Sequence, residues 1–240
     1  METFILIISF ILIALLSYWL SAMIHELGHI IVGLANGWKL FMLVVGFIGI
    51  KRKGDKLTLY FEKNPVMWGG VGGTFPIKES DDNIKIWSKI LLGGPITSII
   101  TGMIFLSVCL FSFHIGWLLL GLMPISMGIA CLLPFTTGLT YTDGKRWRRL
   151  HNGGKEAAEE TAIFKMAEFE QLEKDKSLMK KEDFEVLLEA ELPALRYYGN
   201  YYLYQYYDIN NNLESKEKTL GILNSMKKDV PKTIIDDCKV

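Results

Sequence analysis

The sequence predicts a mainly α-helical, multi-span membrane protein: about three transmembrane helices, a short membrane-associated β-hairpin and a small helical cytosolic C-terminal domain. Three observations predict it. The run from Thr3 to Ile24 is 22 residues without a charge, and at about 1.5 Å rise per residue it reaches across a hydrocarbon core of roughly 30 Å. A second uncharged stretch, Ile90 to Thr142, is 53 residues long, more than a soluble domain of this size carries. Finally, the formal neutrality hides two unlike parts. Residues 1–154 hold 13 Lys+Arg against 8 Asp+Glu, and residues 155–240 hold 13 against 18. A membrane-embedded domain is therefore expected over 1–154 and a soluble helical domain over 155–240.

Element by element, the first helix is expected from Phe4 to Ala35, stopped by Asn36-Gly37. The N-terminus has no basic leader and no small-residue cleavage site, so this helix reads as a retained span. Leu40 to Ile50 is apolar but only 11 residues long; Val44, Val45, Ile48 and Ile50 favour a strand there. Lys51-Arg52-Lys53-Gly54-Asp55 reads as a turn and Leu57 to Phe61 as the return strand, a hairpin at the membrane surface. Gly69 to Gly73 reads as a flexible loop and Glu79 to Asn83 as a polar connector. Two more spans follow, Trp87 to Phe111 and Ile115 to Leu133, with His114 and Gly116 in the tight turn between them. Pro134 ends that pattern, and a polar passage from Thr136 to Thr142 leads to Asp143-Gly144 and the basic residues Lys145, Arg146, Arg148 and Arg149.

The connector from Asn36 to Lys89 holds nine Lys+Arg and the turn at His114 holds none. The positive-inside rule then places the connector and the tail on the cytoplasmic side of the cell membrane, with His25, His29 and Asp143 toward that same side. In the tail, Glu156 to Lys176 alternates charge. A tyrosine run (Tyr197, Tyr198, Tyr201, Tyr202, Tyr204, Tyr206, Tyr207) precedes Asp208-Ile209-Asn210. A helix pair around that loop loosely resembles one tetratricopeptide-type unit, although an array needs about three. The tyrosines suit a small helical core or a surface that docks a protein partner. Cys109, Cys131 and Cys238 are odd in number and form no CxxC pair, so they read as apolar fillers. No nucleic-acid partner is expected.

The chemistry is concentrated in His25-Glu26-Leu27-Gly28-His29. Positions i and i+4 share a helix face, so the two imidazoles can hold one metal ion while Glu26 sits beside a metal-bound water as general base. A chain of this composition is expected to contain only about 0.003 such motifs by chance. A catalytic zinc site needs a third protein ligand and an open position. Asp143, His114, His151 and Glu62 are the ionisable candidates. Asp143 leads because it closes the uncharged stretch on the same membrane side as the histidines. Its competing role is to cap the basic helix Lys145 to Leu150.

Together with Gly94-Pro95-Ile96-Thr97-Ser98 in the second span and Asp143-Gly144 after the third, HELGH resembles the site-2 protease family of intramembrane zinc metalloproteases, over roughly residues 1–150. The resemblance implies Zn2+ held by His25, His29 and Asp143, with Glu26 catalytic. It also implies a membrane-embedded or membrane-apposed peptide or protein substrate. The hairpin and Gly-rich loop look like that family's membrane-associated sheet, where a substrate strand pairs with an exposed edge. Gly70, Gly72, Gly73 and Ser98 are the substrate-binding candidates. Ser98 stands where the family's Gly-Pro motif usually closes with Asn, and Ala130, Cys131 and Leu132 occupy positions where an Asn commonly precedes the next Pro. Two functions are therefore expected in competition: a membrane zinc endopeptidase, or a zinc-binding relative without activity that serves as a membrane binding or adaptor protein.

Overall fold

Apolar length sets the frame of the computed structural model, which describes residues 1–138, 140–171 and 175–238. Among the described residues, three helices are long and apolar enough to cross a membrane: α1 (Glu2–Ala35), α2 (Asn83–Ser112) and α3 (Ile115–Leu132). At 34 residues, α1 is about 51 Å long, well beyond a hydrocarbon core of roughly 30 Å. Its buried residues begin only at Ser17 and continue through Ser21, Ala22, His25, Gly28, His29, Ile30 and Gly33. The N-terminal half offers apolar side chains all round, as a lipid-facing helix does. The C-terminal half packs on α2 at close range. A Cβ on Gly28 would meet the Gly93 carbonyl oxygen at 2.5 Å, and one on Gly93 would meet the Gly28 oxygen at 2.6 Å. Small residues at a helix crossing permit that approach. Between α2 and α3 the chain reverses at Phe113, with φ +46. There His114 caps α3, its Nδ1 accepting from the Gly116 N–H at 3.0 Å.

The expected hairpin is one part of a four-stranded antiparallel sheet: β1 (Lys39–Val45), β2 (Ile48–Lys53), β3 (Lys56–Phe61) and β4 (Val71–Phe75), ordered β3-β2-β1-β4. The apolar segment from Leu40 to Ile50 is therefore two strands. The chain folds back at Gly46, with φ +60, and Val45 pairs with Ile48. Lys51, Arg52 and Lys53 belong to β2, and the turn contracts to Gly54-Asp55, because Lys53 pairs with Lys56. The Gly-rich segment is the edge strand β4, paired with β1 on one side through Leu43↔Gly72 and Met42↔Gly73. Gly72 answers a packing demand: a Cβ there would lie 2.9 Å from the Cβ of Glu26.

Two compact units emerge, Met1–Phe135 with Thr142–Trp147, and Thr136–Tyr141 with Arg148–Val240. The second contains the later part of α4 (Asp143–Asn152), then α5 (Gly154–Gln171), α6 (Lys181–Glu185), α7 (Pro193–Ile209), α8 (Leu213–Met226) and α9 (Lys232–Cys238). Of the charge-alternating stretch, residues 172–174 lie outside the described residues. The tyrosines build the core: Tyr197 and Tyr202 are buried, and the Tyr202 ring stacks on Phe184 at 4.8 Å. In the same unit the buried Arg149 guanidinium pairs with Glu159 and Glu160 and covers the Tyr141 ring at 4.3 Å. Burial pushes the Tyr141 hydroxyl up to about 12.

Candidate metal centre

His25 and His29 both point inward from α1 and are 5% and 8% exposed. Their Nε2 atoms lie 3.2 Å apart. The far nitrogen of each ring is anchored to α2: His25 Nδ1 lies 3.1 Å from Ser98 Oγ and His29 Nδ1 lies 2.6 Å from the Ile90 carbonyl oxygen. The Gly94 N–H also approaches His29 Nδ1, at 3.3 Å. A carbonyl oxygen has no proton to give, so the shorter contact assigns the hydrogen to Nδ1 and leaves the Nε2 lone pair free. Gly94 makes room for both rings, since a Cβ there would meet His25 Nε2 at 2.8 Å.

Asp143 reaches the same point from the start of α4. The capping role belongs to Thr142 instead, whose Oγ1 donates to the Leu133 carbonyl at 2.6 Å and lies 3.3 Å from the Lys145 N–H. The Asp143 carboxylate is thereby left for the histidines, with Oδ2 3.2 Å from His25 Nε2 and 3.5 Å from His29 Nε2. Gly144 follows because a Cβ there would collide with the Leu132 carbonyl oxygen.

One ligand atom from each of His25, His29 and Asp143 converges within 4.8 Å, the one such group among the described residues. Three lone pairs facing one another repel unless a cation or a proton lies between them. Ligand atoms at about 2.0–2.1 Å from a small tetrahedral ion such as zinc are roughly 3.3–3.4 Å apart, close to the three separations found here. The donor set of two imidazoles and a carboxylate suits zinc.

Glu26 sits one position on from His25 and turns toward β4, where a Cβ on Gly72 would lie 2.9 Å from its Oε2. A Cβ on Gly70, which has φ +113, would lie 3.2 Å from Glu26 Oε1, whereas one on Gly73 would meet nothing within 4 Å. Gly70 and Gly72 thus border Glu26 and Gly73 does not. Ser98 is 0% exposed and its hydroxyl faces His25. Two of the alternative third ligands have other partners: His114 caps α3, and Glu62 accepts from the Tyr60 hydroxyl at 3.1 Å and the Asn64 N–H at 2.8 Å. His151 belongs to the second unit. Two contributors carry no recognisable side-chain signal: the Ile90 carbonyl, and Thr142, whose only mark is a hydroxyl directly before a helix.

The family model for peptidase family M50 matches residues 10–235, nearly the whole chain, so this chain belongs to that family, the site-2 proteases. No curated protein and no solved structure matches it.

Proposed function

We propose that this member of peptidase family M50 is a membrane-embedded zinc endopeptidase that hydrolyses a membrane-associated peptide or protein. The observation that carries the reading is the convergence of His25 Nε2 and His29 Nε2, on a helix long enough to span, with Asp143 Oδ2, all within 3.5 Å of one another. Zinc held by those three residues would supply Lewis acidity, activating water and polarising the scissile carbonyl. Ser98 and the Ile90 carbonyl keep the imidazoles in the tautomer that binds, and Asp143 balances part of the charge. Glu26 takes the proton of the attacking water and returns it to the leaving amine. The unpaired edge of β4, running past Glu26, offers main-chain hydrogen bonds to an extended and locally unwound substrate segment. By the excess of Lys and Arg around the sheet, that side of the bilayer is cytoplasmic. The acidic helical tail docks a protein partner.

Proteolysis by the purified chain, with Glu26→Gln as control, tests this. Loss of substrate in the wild type alone supports it. One observation favours a second reading, a zinc-binding membrane adaptor without activity. The Ser98 side chain is 0% exposed and faces His25, so its hydroxyl is not presented to a substrate oxyanion. Zinc bound without cleavage in either protein would select the adaptor.

A further inference from the structure

α2 supplies none of the three ligand atoms, yet it meets every part of the chain that does. Ser98 faces His25, and the Ile90 carbonyl faces His29. One turn below Ile90, the Arg146 guanidinium lies over the Trp87 ring, 4.9 Å from its centroid. At 100° per residue Trp87, Ile90, Gly94 and Ser98 fall within an arc of about 80°, so a single face of α2 makes these contacts. Asp143 and Arg146 are three residues apart on α4 and share a face as well.

This arrangement answers a mechanical need. Without a cation the carboxylate and the two lone pairs repel, and α4 must be held for the site to persist. Thr142 bonded to Leu133, with Gly144 pressed on Leu132, fixes the first residue of α4. A rod fixed at one point still pivots. The stack of Arg146 on Trp87, one turn further along, is a second point, and two points set a direction. Both side chains are half-buried, where a guanidinium over an indole is stronger than in open water.

We propose that Trp87 and Arg146 are a positioning pair for the metal centre, holding the first turn of α4 against α2 so that Asp143 stands at ligand distance from both histidines. This rests on the metal-binding reading above and deepens it. The test is zinc affinity of the full chain in detergent micelles, measured by competition with a chromogenic chelator. Arg146→Gln and Trp87→Leu should each weaken zinc by about tenfold or more, the usual effect of losing an outer partner of a ligand. The double variant should lose no more than the stronger single, because both remove one contact. Trp87→Phe, which keeps a ring under the cation, should stay near wild type. Unchanged affinity in the single variants overturns the proposal, as do losses that add in the double. A lowered thermal midpoint with zinc affinity intact overturns it too, since that is a purely structural role. A wild-type chain that takes up no zinc removes the metal reading and this pair with it. Zinc-binding wild type with indifferent variants removes the pair alone.

Discussion

Ser98 Oγ lies 3.1 Å from Nδ1 of His25, on a side chain that is 0% exposed. The residue at the end of the Gly-Pro motif therefore faces a candidate ligand. Ser98→Ala should leave His25 free to turn and weaken zinc binding by about tenfold or more. Chelator competition measures this, and an unchanged affinity would place Ser98 outside the metal centre.

Gly94 and Gly73 make a matched pair of tests. A Cβ at Gly94 meets His25 Nε2 at 2.8 Å, while one at Gly73 meets nothing within 4 Å. Gly94→Ala is expected to displace the imidazoles and abolish stoichiometric zinc, with Gly73→Ala retaining it. Metal analysis of both purified proteins decides. Equal zinc in the two would contradict the packing described here.

Glu26 faces β4 at Gly72, beside the ligands and not among them. Glu26→Gln should hold zinc at the wild-type level and lower cleavage by about 10²–10⁴-fold, the range for losing a general base. Zinc lost together with activity would make Glu26 a ligand instead.

HELGH was legible because its geometry is local: four residues along one helix place both imidazoles on one face. Asp143 was legible through charge, as the first ionisable group after a long uncharged stretch. Its competing role as a cap was resolved only by Thr142, whose hydroxyl satisfies the helix start. The sheet was half legible. No polar residue marks the fold-back at Gly46-Phe47, because the Phe47 ring packs on Trp19 and Phe61, at 6.2 and 6.0 Å. The glycines from Gly69 to Gly73 looked like flexibility, but Gly70 and Gly72 record how closely β4 and the residue before it pass Glu26. Composition assigned Arg149 to the membrane part, yet its carboxylate partners lie at Glu159 and Glu160.

That network carries its own prediction. Arg149 and Glu160 are 4% and 0% exposed, and removing one member of a buried pair costs about 3–5 kcal/mol. Arg149→Met should lower amide-exchange protection across Gly154–Gln171 and Pro193–Ile209. Protection equal to wild type would show that the ion pairs contribute little to the tail.

The most direct measurement is zinc per chain in the purified wild-type protein beside Asp143→Ala. A cation shared by the opening helix and α4 predicts one zinc in the wild type and little or none in the variant. Equal occupancy in the two, or none in the wild type, would contradict it.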